Sequence, residues 1–222
     1  MGGRSMVSEL GDAYLYGILD LGYVDETNIE HVAKELLEGG VGLLQLRAKG
    51  YSEDAVRRLF DGPALSLSEL CRGYGVPLII NDFPEVAVAV GADGVHIGQG
   101  DGSLLEVREV VGDAMIVGRS THSPDQAREA MREGFDYIGF GPLFPTPTKE
   151  GRLAIGLDGV AEVQREVGVN IPVFCIGGIK PENLELVLAS GARRVVIVSA
   201  LLQAEDIASS VCGILKSLKT NP

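Results

Sequence analysis

The chain has 222 residues, with 31 acidic against 19 basic side chains and a formal net charge of −12. This acidic balance argues against binding to nucleic acid or to an anionic membrane, both of which need a basic surface. The apolar content of 45% is that of a globular protein, so a disordered or fibrous chain is excluded. The length suits one large domain, such as an α/β barrel.

The N-terminal region and the cysteines indicate the compartment. Residues 1–10 lack the apolar core of a secretory signal, and we expect them to form a loose tail before a single domain at 11–222. No window approaches the length of apolar sequence that spans a membrane. Cys71, Cys175 and Cys212 are too widely spaced for a disulfide framework or a metal-binding pair. We therefore expect a reduced, cytoplasmic location.

Eight short apolar runs recur along the chain. Each run is continuous rather than alternating, which is typical of a strand buried on both faces. The predicted strands are 14–19, 41–47, 77–82, 94–97, 115–120, 137–140, 172–176 and 194–199.

Amphipathic segments separate these runs and predict helices. Residues 28–38 place five apolar side chains on one face, at Ile29, Val32, Ala33, Leu36 and Leu37. Helix starts are predicted at 52–54, where a serine precedes two acidic residues, and at Ser123-Pro124. Later helices are predicted at 181–189 and 204–218. Helix ends are predicted at glycines, namely Gly39-Gly40, Gly91, Gly112, Gly134, Gly168 and Gly191.

Strand and helix thus alternate eight times without a long linker. This order predicts a parallel sheet with helical crossovers, and eight units in about 200 residues indicate a single (β/α)8 TIM barrel. The alternative is a doubly wound open sheet. That fold usually has fewer strands, and no dinucleotide-binding glycine motif follows the first strand here.

Basic side chains follow several of the predicted strands. The active site of a barrel lies at the carboxyl ends of its strands, so Arg47, Lys49 and Lys149 are expected at one rim. Converging cations suit a phosphate or a diphosphate. The alternative is that they are ordinary solvated charges.

Carboxylates follow two neighbouring strands at the same rim. Asp82, beside Asn81, ends the third strand, and Asp101 follows the fourth. Two carboxylates beside a diphosphate site suit Mg²⁺, which completes its shell with water and phosphate oxygens. The alternative is that each aspartate caps a helix N-terminus.

Small residues and two histidines complete the rim. Gly177-Gly178 and Ser199 follow the last two strands, where many barrels bind a phosphate on backbone N–H groups. The alternative is a plain turn between strand and helix. His96 is interpreted as a hydrogen-bonded core residue, whereas His122 lies in a loop where an acid–base role stays open.

Four segments carry a family resemblance that spans most of the chain, from Tyr14 to Ala208. They are Leu44-Gln45-Leu46-Arg47-Ala48-Lys49, Ile80-Asn81-Asp82, the run from Ala92 to Asp101, and the run from Gly139 to Lys149. Together they resemble thiamine-phosphate synthase, also called thiamine-phosphate pyrophosphorylase. The Thr-Pro-Thr-Lys loop at 146–149 combined with Asp-Gly-Val-His at 93–96 is the most specific part of the match.

The resemblance implies an alkyl-transferring transferase. It would join a pyrimidinylmethyl diphosphate to a thiazole phosphate, carboxylated or not, and release diphosphate with the help of Mg²⁺. The bond to diphosphate would break ahead of attack, because the aminopyrimidine stabilises a cation at its methylene carbon. Such a reaction needs no protein nucleophile, and no nucleophilic triad is visible in the sequence.

The resemblance also implies a role for each matching residue. Gln45, Arg47, Lys49, Asn81 and Lys149 would bind the pyrimidine diphosphate, and Asp82 and Asp101 would hold Mg²⁺. Ser120 would lie near the departing diphosphate, and it forms the implied catalytic set with Arg47 and Lys149. Thr146 and Thr148 would bind the thiazole, and Gly178, Val198 and Ser199 its phosphate.

Two positions depart from the family pattern. Ala48 replaces a common acidic residue, and Arg119 replaces a small apolar one, so that Arg119 either adds an anion contact or points outward.

Two other functions stay open at this point: a thiazole tautomerase using a histidine such as His122, and a phosphate-binding barrel without catalysis. The sequence is compatible with a homodimer and leaves the oligomeric state open.

Overall fold

The fold is a closed barrel of parallel strands. The computed structural model describes residues 10, 12–51, 55, 58–59, 62–146 and 153–220. Within these ranges eight strands pair in chain order, and the last pairs with the first. They are β1 Leu15–Asp20, β2 Leu43–Arg47, β3 Leu78–Asn81, β4 Gly94–Ile97, β5 Ile116–Thr121, β6 Tyr137–Phe140, β7 Val173–Ile176 and β8 Arg194–Ile197. The predicted (β/α)8 barrel is confirmed, and the open sheet is wrong.

Helices follow the strands on the outside of the barrel. The α-helices whose bounds the described residues define are α1 Ile29–Gly39, α2 Pro63–Tyr74, α3 Pro84–Ala89, α4 Leu104–Val111, α5 Pro124–Glu133, α6 Val160–Glu166, α7 Leu184–Ala189, α8 Ser199–Leu202 and α9 Ile207–Thr220. Short 3-10 turns at Glu26–Asn28 and Pro181–Asn183 lead into α1 and α7. Among the described helices, none has both the length and the apolar character needed to cross a membrane.

The predicted elements agree with the structure except at their ends. The predicted strand at 194–199 stops at Ile197, because Ser199 already begins α8. The predicted apolar face of α1 is confirmed residue by residue. Ser123 caps α5 by accepting a hydrogen bond from the Gln126 N–H at 3.2 Å. The helix start predicted at 52–54 lies outside the described residues.

Most of the glycines predicted as helix ends adopt the left-handed conformation. Gly40 and Gly134, for example, end α1 and α5 with φ of 100° and 96°. Gly168 is an exception, because α6 ends at Glu166 and is followed by Val167 in a right-handed conformation.

The apolar core has two layers separated by the barrel wall. The larger cluster packs the helices against the outer face of the strands. The smaller cluster fills the barrel interior, and its members are Leu10, Ala13, Tyr16, Ile18, Leu43, Ile79, Ile116, Tyr137, Phe174, Val196 and Val198. Leu10 is fully buried there. The rest of the predicted tail, residues 1–9, lies outside the described residues.

Three aromatic rings occupy the centre of the barrel. Tyr16 on β1, Tyr137 on β6 and Phe174 on β7 contact one another edge-on, with ring centroids 5.2 to 5.9 Å apart. Gly118 on β5 provides the space, because a Cβ there would lie 2.1 Å from Cζ of Tyr137. A side chain at position 118 would therefore displace the central tyrosine.

We predict that Gly118→Ala destabilises the fold by about 1–3 kcal/mol, the usual cost of overpacking a filled core. Gly73→Ala is the matched control, because a Cβ there meets no atom within 4 Å. Gly73 lies within α2, so the control should stabilise the fold by about 0.5–1 kcal/mol. Urea unfolding of both variants measures the difference. Equal stability of the two variants would contradict the described packing.

Candidate functional site

A cavity that is partly open to solvent lies at the carboxyl end of the barrel. Eight of the predicted site residues line it, from six of the strands and the loops that follow them. They are Gln45, Arg47, Asn81, Ser120, Thr146, Gly178, Val198 and Ser199. Lys49, Asp82 and Asp101 lie in the adjoining loops after β2, β3 and β4. Thr148 and Lys149 lie outside the described residues.

A buried ion pair holds the cationic side of the cavity. Arg47, at the end of β2, donates from Nη1 to Oδ2 of Asp20, at the end of β1. Both residues are buried, with 9% and 1% of their surface exposed. Because a guanidinium has five donors, Arg47 can keep this partner and still bind an anion in the cavity.

A chain of hydrogen bonds runs through the barrel beneath the cavity. Gln45 Nε2 donates to the Tyr16 hydroxyl at 2.6 Å, and the hydroxyls of Tyr16 and Tyr137 are 3.0 Å apart. The Tyr137 hydroxyl is 3.0 Å from His96 Nδ1, and His96 Nε2 is 3.0 Å from Ser120 Oγ. All five residues are buried. The interpretation of His96 as a hydrogen-bonded core residue is confirmed, and His96 also lines the cavity.

Both tyrosines in this chain keep their protons. Burial raises the pKa of the Tyr16 hydroxyl, and it raises the pKa of the Tyr137 hydroxyl well above its usual range. Desolvation is the main cause in each case, because a phenolate in the barrel interior would lose its hydration. The two tyrosine hydroxyls of this hydrogen-bond chain are therefore neutral.

Two carboxylates face each other at the rim. Burial raises the pKa of Asp82, and the neighbouring charge of Asp101 raises it further, whereas Lys49 lowers it. Asp82 is also the one non-glycine residue of the described ranges with positive φ, at 66°. This pair is a fitting site for a divalent cation, because Mg²⁺ typically takes one or two carboxylates and would relieve their repulsion.

Neither aspartate caps a helix. The residue before α3 is Phe83, and it makes no side-chain cap, so the capping alternative for Asp82 is wrong. The cap of α4 is Ser103, whose hydroxyl accepts from the N–H of Glu106. Asp101 instead accepts a 2.7 Å hydrogen bond from the N–H of Gly98 within its own loop.

Arg119 fastens the loop that carries Asp101. Its guanidinium donates to the carbonyls of Gly102 at 2.7 Å and Gln99 at 3.3 Å, and it lies 5.3 Å from the ring centroid of Phe135. The Gln99 side chain ties the same loop to the Ser120 carbonyl at 2.6 Å. Arg119 is therefore a structural clamp on the loop at 99–102.

The two glycines after β7 are required by backbone packing. Gly177 and Gly178 have φ of 101° and 65°. A Cβ on Gly177 would lie 2.4 Å from Cα of Pro142, and one on Gly178 would lie 2.7 Å from Cβ of Phe144. The glycines thus allow close approach of the loop after β6. This need exists with or without a phosphate, so the glycines alone do not identify the ligand.

Sequence reasoning missed several residues of the site. Asp20 is a polar residue at a strand end, so the rule that found Arg47 would also have found it had the first strand been extended by one residue. Tyr16 and Tyr137 lie inside continuous apolar runs, where no sequence signal distinguishes a residue that faces the cavity. His122, for which the sequence leaves an acid–base role open, lines the cavity with Nδ1 2.5 Å from the Gly141 carbonyl.

Comparison with known proteins identifies the family. Residues 15–201 match the family model of thiamine monophosphate synthase. The chain belongs to the thiamine monophosphate synthase family. The resemblance drawn from the four motifs is confirmed. Like the other members of this family, the chain is a transferase of thiamine biosynthesis.

Individual relatives agree over nearly the whole chain. A thiamine-phosphate synthase of Thermus thermophilus is 43% identical over 201 residues, covering 89% of this chain and 92% of that protein. One of Geobacillus thermodenitrificans is 40% identical over 194 residues, or 87% of each chain. The solved thiamine phosphate pyrophosphorylase from Pyrococcus furiosus has a TM-score of 0.82 and 32% identity, covering 97% of this chain and 98% of its own.

We predict that Asp82→Asn stabilises the ligand-free fold at neutral pH. The raised pKa of Asp82 means that ionisation costs stability as pH rises above the ordinary value of 3.8. Asparagine removes that charge and tolerates the positive φ. The variant should melt a few degrees above the wild type at pH ~7, with the difference shrinking below pH ~4. Asp113→Asn, an exposed change before β5, is the control, and a lower melting temperature for Asp82→Asn would contradict the prediction.

We predict that Arg119→Met loosens the loop at 99–102 without unfolding the barrel. The change removes two hydrogen bonds, each worth about 1 kcal/mol net. Amide exchange in this loop should therefore accelerate by about fivefold or more. Hydrogen–deuterium exchange of the peptides around Gly98–Leu104 measures the effect. Arg132→Met, at an exposed position on α5, is the control, and equal exchange in the two variants would exclude the clamp.

Proposed function

We propose that this chain condenses a pyrimidinylmethyl diphosphate with a thiazole phosphate, carboxylated or not, to give thiamine phosphate and diphosphate, with carbon dioxide as a third product when the thiazole is carboxylated. Family membership supports the overall activity. The observation that carries the proposal is the convergence at one rim of Gln45, Arg47, Asn81 and Ser120, beside the Asp82–Asp101 pair. A cytoplasmic location and a homodimer belong to the same proposal as expectations from the sequence.

The diphosphate is proposed to lie between Arg47, Lys49 and Asn81, and the family resemblance implies Lys149 as a further cation that binds it. Asp82 and Asp101 would hold Mg²⁺, which neutralises charge on the leaving diphosphate when it is bound. Arg47 is pre-oriented by Asp20, so little side-chain entropy is lost when it binds the anion. Ser120, at the base of the cavity, would contact the departing group.

The two rings are proposed to occupy the rest of the cavity. Gln45 offers its amide to the pyrimidine, because its Nε2 is already engaged with Tyr16 and its carbonyl can accept from a substrate amino group. Thr146 and Thr148 would contact the thiazole. Gly178, Val198 and Ser199 would surround its phosphate with backbone N–H groups.

The proposed reaction is a dissociative substitution. The bond between the methylene carbon and diphosphate breaks first, and the electron pair leaves with diphosphate. The thiazole nitrogen then donates its lone pair to the carbon. The protein supplies placement and charge, and no covalent step on the chain is needed. Burial raises the pKa of the Cys175 thiol to about 12, so this residue stays protonated and unreactive.

We predict that diphosphate appears only when both substrates and Mg²⁺ are present. Asp82→Asn should lower kcat by about 100-fold or more, because metal stabilisation of a leaving group is worth several kcal/mol. The measurement is a coupled assay for diphosphate with titrated Mg²⁺, together with chromatographic detection of thiamine phosphate. Asp113→Asn should retain full activity.

The same assay separates the two competing functions. A tautomerase would isomerise the thiazole phosphate without Mg²⁺ or the pyrimidine, and His122 in the cavity is the residue that would carry it. A binding protein would show a thermal shift with thiamine phosphate but no synthesis. Full synthesis by Asp82→Asn would remove the carboxylate pair from the proposed mechanism.

A further inference from the structure

We propose that the buried hydrogen-bond chain from Gln45 to Ser120 has a single polarity, which makes the Ser120 hydroxyl a donor toward the diphosphate. Tyr16, Tyr137 and His96 are then positioning residues that act through Ser120. The polarity stands on the geometry of the barrel interior, and its use toward diphosphate rests on the proposed function.

The polarity begins at Gln45. Its Nε2 can only donate, so the oxygen of Tyr16 is the acceptor in the 2.6 Å contact. Tyr16 is buried and neutral, and its single hydrogen needs an acceptor. Among the described residues the hydroxyl of Tyr137 lies 3.0 Å away. The reverse direction would leave the Tyr16 hydrogen without an acceptor in the barrel interior, which is costly.

The same reasoning passes along the next two contacts. The Tyr137 oxygen accepts from Tyr16, so its own hydrogen is directed to His96 Nδ1, 3.0 Å away. Nδ1 of His96 must then be the unprotonated nitrogen. A neutral imidazole that accepts at one nitrogen carries its hydrogen on the other. His96 therefore donates from Nε2 to Ser120 Oγ at 3.0 Å.

The chain ends by orienting the Ser120 hydroxyl. Because Oγ accepts from His96, the serine hydrogen is directed to an acceptor other than His96. A hydroxyl that presents its hydrogen stabilises an anion, whereas one that presents its lone pairs repels it. The amide of Gln45 on β2 thus sets the donor role of Ser120 on β5, across the barrel through β1, β6 and β4.

A single substitution should reverse the chain. In Gln45→Glu the ionised carboxylate accepts from Tyr16, so Tyr16 accepts from Tyr137 and Tyr137 accepts from His96. His96 then carries its hydrogen on Nδ1 and accepts at Nε2 from Ser120. The hydroxyl of Ser120 is turned inward, away from the diphosphate.

The tautomer of His96 in the ligand-free protein tests the polarity directly. Nitrogen-15 NMR distinguishes the protonated from the unprotonated ring nitrogen, and His31→Gln and His122→Gln remove the signals of the other two histidines. We expect hydrogen on Nε2 in the wild type. In Gln45→Glu we expect hydrogen on Nδ1 once the carboxylate ionises, followed from pH ~6 to ~9 because burial can raise the pKa of a glutamate this far.

Binding and turnover test the role of the chain toward diphosphate. Tyr137→Phe keeps the ring that fills the barrel but removes the link to His96, and Tyr16→Phe breaks the preceding link. Each should weaken binding of inorganic diphosphate with Mg²⁺ about tenfold in calorimetry and lower kcat about 10- to 100-fold. KM for the thiazole phosphate should stay within about twofold. Tyr74→Phe, at an exposed tyrosine, is the matched control.

The outcomes separate this inference from the proposed function. Hydrogen on Nδ1 in the wild type, or on Nε2 in Gln45→Glu at every pH, would overturn the polarity whatever the protein catalyses. Unchanged diphosphate binding and kcat in both tyrosine variants would overturn the positioning role. If the wild type makes no thiamine phosphate while the tautomers and diphosphate binding are as expected, the proposed function fails and the polarity stands.

Discussion

Pairing of β8 with β1 is the constraint on which the rest of the molecule depends. It closes the sheet, so the carboxyl ends of all the strands share one rim and residues far apart in sequence become neighbours. Closure also creates an interior that must be filled. Tyr16, Tyr137 and Phe174 fill it. The two hydroxyls brought in by this packing need partners, and the hydrogen-bond chain supplies them.

The sequence predicted the barrel well because its strands are short continuous apolar runs and its helices are amphipathic. The rim residues followed from one rule, that polar side chains at strand ends meet at one edge. The interior could not be predicted in the same way. A strand buried on both faces lacks the alternation that would separate inward from outward side chains, so Tyr16 and Tyr137 looked like any other core residues. Their direction is set by register, which only pairing fixes.

Arg119 shows a second limit of sequence reasoning. Its position within β5, next to Ser120, suggested either an anion contact or an outward-pointing charge. The guanidinium binds two carbonyls of the adjoining loop and lies over Phe135. Every residue carries a backbone carbonyl, so the sequence does not indicate which carbonyls a side chain will bind. The role of such a side chain is recognised only once the structure of the loops is known. Arg119, which departs from the family pattern, thus fixes the loop that carries Asp101.

Two unfavourable contributions meet at Asp82, on the rim of the barrel. Asp82 combines a left-handed backbone with a carboxylate that faces Asp101. At Arg47, by contrast, the buried charge is balanced by the neighbouring carboxylate of Asp20. Strain that persists in one place usually serves function. Here the unfavourable geometry keeps two carboxylates together at the rim.

Leu10 closes the amino end of the barrel interior. It lies with Ala13 in the interior cluster, at the amino end of the strands and opposite the cavity. Exposing a buried leucine-sized cavity costs several kcal/mol in a well-packed core. Removal of the segment that ends at residue 12 would expose the interior cluster to water at the amino end of the barrel. Leu10 therefore covers the amino end of the barrel, opposite the cavity. The domain begins at Leu10 or earlier rather than at the first strand.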